Sequence, residues 1–523
     1  LADRLTFGLR PDDIQLSKFH GFYQQDDRDL RAERQQQKLE PLYSFMLRVC
    51  VPGGVLTPAQ WLALDELADR YGDHGLRVTT RQAVQLHGVI KFDLQPTIAS
   101  IHASMLSTLA ACGDVNRNVM GAPLSDSPAL TAAVQDVARA LSRALAPQTR
   151  AYHELWIDGE RVQPEPPPTN EEPLYGPTYL PRKFKCAIAI PPDNDVDVYT
   201  QDLGLVAVAD GDRLLGFNVL VGGGMGRAHG DPSTFASLAA PLGFCTVDRV
   251  VDVAKAVLTA QRDLGNRGER HHARLKYTIA RVGLTAFRDE VERRQGFVFQ
   301  PERPVTLASN LDRQGWFRRA GQEHLQLFLP SGRVRDDGRT NLRTALRKLA
   351  HVHQGDIRLT GNQNLILTNV APHTRAAIQA IVDEHALLAP RSALRLGALS
   401  CVALPTCSLA MAEAERYLPS LLTLLEAKLT ALGLGQEPIV LRMTGCPNGC
   451  ARPYNAEIAL VGRAPGIYDL HLGGNRAGTR LNTLVVKNLD EAEIVNRLHT
   501  LFERFARDRQ PNEALGDFCH RTY

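Results

Sequence analysis

Cys401-Val-Ala-Leu-Pro-Thr-Cys407 and Thr444-Gly-Cys446-Pro-Asn-Gly-Cys450 are the two segments around which this 523-residue chain is organised. They are two close cysteine pairs with a long amphipathic segment between them. Four thiolates delivered by two loops suit a [4Fe–4S] cluster or a structural zinc. The spacing favours iron–sulfur. Zinc pairs commonly keep two to four residues between ligands, and the first pair here keeps five. Pro405 and Pro447 hold both loops out of helix, and Gly445 and Gly449 let backbone N–H groups approach sulfur. The plain alternative is four unconnected buried cysteines. A further one is a four-cysteine zinc module with a basic, nucleic-acid-binding face.

The length suggests three or four domains, and a hydrophobic content of 44% is enough for large cores. A net charge of +3 gives no general affinity for polyanions, so neither nucleic acid nor an anionic membrane is expected as a partner. Nine cysteines, odd in number and scattered, do not read as a disulfide framework. A reducing compartment, the cytoplasm, fits them better. No apolar run approaches the ~18 residues of a membrane span. The chain opens Leu1-Ala-Asp-Arg4, with no signal-peptide core. It lacks a first methionine, which reads as a start after a trimmed or disordered segment.

Residues 1–45 are polar and include a helix-like run over 30–39, readable as a solvated arm. A strand from Phe45 leads to Pro52-Gly-Gly54, and a helix begins near Thr57-Pro58, with proline in its first turn. A second strand is expected over 76–86. The pattern then recurs. His324-Leu-Gln-Leu-Phe-Leu-Pro-Ser-Gly332 resembles Met46-Leu-Arg-Val-Cys-Val-Pro-Gly-Gly54, and Arg358-Leu-Thr-Gly-Asn-Gln363 resembles Arg77-Val-Thr-Thr-Arg-Gln82. Matching strand, turn and polar loop in one order indicate an internal duplication whose two loops can surround one ligand. Residues 163–173 are too proline-rich for regular structure. Strands are expected over 186–190 and 214–221, and helices over 130–145, 250–261, 409–432 and 494–505. The run 214–224 resembles 468–474, so the second and third domains read as related. Gly222-Gly-Gly-Met-Gly226 is not a dinucleotide fingerprint, and no P-loop occurs. No NADPH or flavin site is therefore expected on this chain, and electrons for an iron–sulfur cluster should come from another protein.

The two cysteine segments and their flanks, Ser408-Leu-Ala-Met-Ala-Glu-Ala-Glu-Arg416 and Ala456-Glu-Ile-Ala-Leu-Val-Gly-Arg-Ala-Pro-Gly466, resemble the signature of the sirohaem- and [4Fe–4S]-dependent sulfite and nitrite reductases. The likeness runs from about Phe19 to Phe518 and is nearest to the haemoprotein components of the assimilatory, NADPH-dependent branch. With the repeats, it implies a multidomain α+β fold with cofactors at a pseudo-twofold junction. The expected parts are an N-terminal arm (1–44), duplicated ferredoxin-like half-domains (45–110 and 311–388), a central sirohaem and substrate domain (111–310) and a cluster domain (389–523).

The resemblance also implies an activity and a site. The activity is the six-electron reduction of sulfite to sulfide. Cys401, Cys407, Cys446 and Cys450 would hold the cluster, with Cys450 bridging it to the sirohaem iron and Asn448 tuning its potential through hydrogen bonding. Sirohaem carries eight carboxylates and needs a cationic pocket. Its candidate contacts are Arg77, Arg81, Gln85 and His87, then Arg274 and Lys276, and in the second repeat Asn362 and Gln363. Arg77, Arg81 and Gln85 are expected on one face of a single strand. Arg48, Arg117, Lys183 and Lys185 would bind sulfite, the two lysines facing one side of an extended segment. Nitrite-reducing relatives generally carry Asn where this chain has Lys185, which favours sulfite over nitrite. Cys50 stands where relatives often have Arg, and Thr80 where Asn is common. The implied donor is an NADPH-oxidising FAD/FMN flavoprotein, with ferredoxin as its rival. The arm would pack on the body and help present it to that partner.

Overall fold

The computed structural model describes residues 3–148, 155–157, 160–162, 172–338 and 340–523. The proline-rich run, up to residue 171, lies outside the described residues.

The duplication is visible as two antiparallel five-stranded sheets. One runs Phe22–Asp26, Tyr43–Val49, Val84–Val89, Leu76–Val78, Arg333–Val334. The other runs Gly315–Arg319, Gln322–Leu327, Leu365–Leu367, Ile357–Leu359, Val55–Leu56. Each repeat lends the other its last strand: Arg333 pairs with Arg77, and Val55 with Arg358. Both lent strands leave a tight turn, Pro52–Gly54 or Pro330–Gly332, that contains a left-handed residue, Gly53 at φ 65° or Ser331 at φ 49°. Behind the sheets, helices Pro58–Arg70 and Leu342–Val352 share one core, with Trp61, Leu64, Leu346 and Leu349 inside it. The first helix starts at a capping box: Thr57 accepts from the Gln60 amide and Gln60 from that of Thr57. Buried Asp65 joins the two helices, taking Arg343 Nε at 2.6 Å and also the Arg347 guanidinium.

Two sequence expectations are corrected. Residues 76–86 are a hairpin, because Thr79 and Ala83 close a turn at 2.9 Å with Gln82 at φ 51°. Arg77 and Gln85 are therefore cross-strand partners, and Arg81 projects from the turn between them. The helix expected over 409–432 is Leu418–Ala431. Residues before it are drawn onto the second cysteine loop, where Met411 N and Ala412 N both donate to Gly445 O. The N-terminal residues pack on the body, as the resemblance implies and unlike a solvated arm, with Phe22–Asp26 adding to the first sheet.

The other two sheets share one plan. In space they run Met120–Gly121, Cys186–Ala189, Leu203–Asp210, Arg213–Val221, Ala240–Thr246, and Ala398–Ser400, Leu441–Thr444, Ile458–Ala464, Ile467–Leu472, Thr483–Leu489. In each, the first two pairings are parallel and the last two antiparallel. This common order matches the likeness between 214–224 and 468–474. Helices Pro128–Ala144 and Val250–Leu264 bury their apolar faces on the first of these sheets, and Leu418–Ala431 and Glu491–Asp508 on the second.

Candidate active site

Strands Ala398–Ser400 and Leu441–Thr444 lie side by side and parallel, so the loops that follow them emerge at one end of the sheet. Those loops carry the four cysteines, at the strand ends where open parallel sheets bind their ligands. Gly445 N donates to Cys401 Sγ at 3.3 Å. Arg28, from the N-terminal segment, grips the first loop by donating to the carbonyls of Cys407 at 3.0 Å and Ala410 at 2.6 Å. Burial, and then the neighbouring thiol of Cys450, push the thiols of Cys401 and Cys407 up and that of Cys446 up to about 12. The four are thus near neighbours. Among the described residues, no three His, Cys, Asp or Glu side chains converge as a single ion requires. Cys450 is the exposed member of the set.

The Cys446–Cys450 loop is seated from several sides. Gly449, at φ 62°, passes so close to Met225 that a Cβ there would lie 2.8 Å from the Met225 carbonyl. The glycine-rich run 222–226, which is no nucleotide motif, is thus the neighbour of this loop. Lys276 holds that run by donating to the carbonyls of Gly224 at 3.1 Å and Gly226 at 2.7 Å. Thr80 Oγ1 donates to the Cys450 carbonyl at 3.1 Å. Arg452 Nε meets Asp197 Oδ2 at 2.5 Å, and Arg442 Nη2 meets the same oxygen at 2.7 Å. Asp197 is wholly buried. Burial alone would raise its carboxyl, but Arg442 and Arg452 outweigh that and hold it at about 2. A carboxylate depressed from about 3.9 to about 2 contributes on the order of 2 kcal/mol, fully present above pH 4 and lost as pH falls from about 4 towards 2. Asp197→Asn should therefore flatten the acid limb of stability. It should also cost about 3–5 kcal/mol at neutral pH, because two buried guanidinium groups lose their counter-charge. Melting temperatures from pH 3 to 7 test this, and a parallel acid limb in the variant would refute it.

Around Cys450 stands an excess of cations. Lys183 and Lys185 flank Phe184, whose segment pairs with Asn116 in an extended bridge, so the two ammonium groups fall on one side. Both lysines feel the Cys450 thiol. Neither makes a hydrogen bond or ion pair among the described residues. Burial pushes Lys183 down to about 8. It pushes Lys185 well down too, with Lys183 adding to the effect. Arg48 and Arg117 both donate to the Ala111 carbonyl, at 3.4 and 3.2 Å. Arg81 reaches Gln201, Asn118 and Cys186, and burial pushes it down to about 9. Several buried polar atoms here have no partner: Arg48 Nε, Arg81 Nε, Gln85 Oε1, His87 Nε2 and Gln363 Oε1. The unmet guanidinium nitrogens of Arg48 and Arg81 fit an anionic ligand, whereas the two glutamine oxygens are acceptors and call for donors.

Other sequence candidates are already committed to protein. Arg77 donates to Glu415 at 2.9 Å and to the Ser400 carbonyl at 3.1 Å. Arg274 forms a two-pronged pair with Asp202 at 3.0 and 2.7 Å. Asn362 donates to the Asn310 carbonyl at 2.6 Å. Asn448 hydrogen-bonds the Cys446 thiol. Of these four, the two basic groups, Arg77 and Arg274, are each paired with a carboxylate. Sequence reasoning missed Arg28, Asp197, Glu415, Arg442 and Arg452. One signal was available, a lone arginine in the apolar strand Ile439-Val-Leu-Arg442-Met443.

Two family descriptions match the chain. "Nitrite and sulphite reductase 4Fe-4S domain" covers residues 137–299, and "Nitrite/Sulfite reductase ferredoxin-like half domain" covers 37–104 and 318–385. The four clustered cysteines lie outside those matches. The chain belongs to the nitrite and sulphite reductase family. Within it, the "Sulfite reductase [NADPH] hemoprotein beta-component" of Myxococcus xanthus is 54% identical, over 100% of this chain and 93% of the relative. The protein of that description from Geobacillus kaustophilus is 52% identical, over 100% and 92%. The solved structure of Mycobacterium tuberculosis NirA protein shares the fold, with a TM-score of 0.80 at 24% identity over 99% of this chain and 92% of that one. No helix among the described residues is long and apolar enough to cross a membrane.

Proposed function

We propose that this chain reduces sulfite to sulfide with six electrons, as the haemoprotein component of an assimilatory, NADPH-dependent system. The observation that carries the proposal is the pair of unpartnered lysines, Lys183 and Lys185, beside the exposed Cys450. Sulfur falls from +4 to −2, and sulfite with six electrons and seven protons gives hydrosulfide and three waters. Cys401, Cys407, Cys446 and Cys450 are the residues that would hold a [4Fe–4S] cluster, with Cys450 shared with a sirohaem iron. Arg81, Gln85, His87 and Gln363 would meet sirohaem carboxylates and ring edges, while Arg77, Arg274, Lys276, Asn362 and Asn448 would brace the walls. Sirohaem and cluster, when bound, would supply the electrons one at a time.

The chain's own residues do the rest. Lys183, Lys185, Arg48 and Arg117 bind the oxyanion and orient it. Each unscreened cation–anion contact at about 4 Å is worth on the order of 4 kcal/mol at an effective dielectric near 20, before desolvation. Lys183, pushed down to about 8, can give up a proton and regain one near neutral pH as oxygen leaves as water. The arginines stay charged and stabilise departing oxide. An FAD/FMN flavoprotein that oxidises NADPH would deliver the electrons in the cytoplasm.

Reconstituted protein tests this through iron, sulfide and zinc analysis, a visible spectrum, and turnover with sulfite and nitrite. The expected result is one sirohaem and one four-iron cluster per chain, with sulfite preferred. Zinc at the cysteines with no haem absorption would sink the reading. Turnover with reduced ferredoxin but not with the flavoprotein would replace the donor.

A further inference from the structure

Arg452 occupies a position that no other side chain shares among the described residues. Its Nη1 donates to the Thr80 carbonyl and its Nη2 to the Gly361 carbonyl, each at 2.8 Å. In the duplication Thr80 and Gly361 are equivalent residues, since Arg77–Gln82 corresponds to 358–363. The two prongs of one guanidinium thus bind the same carbonyl in both repeats. A planar fork suits that task, and a lysine could not span it. The remaining nitrogen, Nε, is held by Asp197 from the central sheet. Arg452 is 5% exposed. Its left-handed backbone, φ 53° and ψ 53°, lets its own amide close back on the Gly449 carbonyl at 3.0 Å. Between those two residues stands Cys450, whose carbonyl takes the Thr80 hydroxyl.

We infer that Arg452 is a positioning residue for Cys450. It locks the loop carrying that thiolate to the pseudo-twofold axis, at a set distance from the turns that carry Arg81 and Asn362. The inference rests on the proposed function, in which Cys450 joins two metal centres. Arg452 would not touch either one. Its effect is on where the shared sulfur lies, so it should govern the coupling of the two centres more than their presence. The buried pair with Asp197 prevents the guanidinium from turning away, and Arg442 braces the loop by donating to the Arg452 carbonyl at 3.1 Å.

The test uses the full chain loaded with both cofactors, as Arg452→Met, Arg452→Lys and, for comparison, Arg343→Met. Arg343 is also buried and also joins the repeats, through Asp65, but makes no hydrogen bond to the cysteine loops. Arg452→Met should keep the iron, sulfide and haem content of the parent but lose magnetic coupling between haem and cluster, with a shifted haem midpoint potential. Arg452→Lys should retain part of the coupling, and it carries the test if the Met variant does not fold. Arg343→Met should lower the melting temperature and leave coupling intact. Coupling and potential unchanged in the folded Arg452 variants would overturn the inference alone. Equal loss of coupling in Arg343→Met would overturn it too, by showing that coupling follows general stability. A parent chain with no coupling would overturn the proposed function and this inference together.

Discussion

Cys450→Ser is expected to separate the haem and cluster signals and to abolish sulfite turnover, while Cys50→Ser changes little. The argument begins with exposure. Of the four clustered thiols, Cys446 is buried, Cys401 and Cys407 are half-buried, and Cys450 is exposed. Lys183, Lys185 and Arg48 all lie within electrostatic reach of its sulfur. A thiolate with that exposure could be shared with a second metal more readily than the buried thiol of Cys446. Serine keeps the volume but is a harder, less readily ionised ligand for iron. The loss should exceed the roughly 10–100-fold that removal of an outer hydrogen bond to a metal ligand costs. Cys50 also lies near Arg48, yet among the described residues its thiol donates only to the Leu109 carbonyl, at 3.5 Å. EPR or Mössbauer spectroscopy of both variants decides the matter. Intact coupling in Cys450→Ser would show that the bridge lies elsewhere.

Lys185→Asn should shift the ratio of kcat/KM from sulfite towards nitrite. Lys185 is held without a counter-ion beside Lys183, and burial together with that neighbour already disfavours its charge. A dianionic substrate offsets that cost more than a monoanion does. Sulfite must also lose three oxygens, and nitrite two. Loss of a contact worth a few kcal/mol lowers sulfite kcat/KM by on the order of a hundredfold, with a smaller loss for nitrite. Both anions are measured with one artificial donor, so that partner docking does not enter. Equal losses would assign Lys185 to the architecture of the pocket and leave substrate choice to other residues.

The site was legible wherever chemistry depends on residues close in sequence. The cysteine spacings point to a cluster on their own. Lys183 and Lys185 share a side because an extended chain alternates, and the structure keeps that segment extended. The duplication was readable from two pairs of matching strings. Where the chain turns sharply, the reading failed. Residues 76–86 carry strand-like side chains throughout, and neither threonine nor arginine announces a turn. The fold imposes one, with Gln82 left-handed and fully buried against Gly121 and Leu359. Similarly, 409–417 have helical composition, but the amides of Met411 and Ala412 are taken by the Gly445 carbonyl of the second cysteine loop.

The family, the duplicated architecture, the four thiols and the stock of cations are all written in local patterns of spacing, periodicity and matched strings. Three features emerge only when the chain is folded: the exchange of strands between the repeats, the division of cations into free and paired, and the seat of Cys450. The physical reason lies in the partners. Arg77 is neutralised by Glu415, 338 residues away, and Arg452 by Asp197, 255 residues away. A buried ion pair between such residues leaves no mark on either neighbourhood, and only the closing of the sheets around one junction brings the charges together.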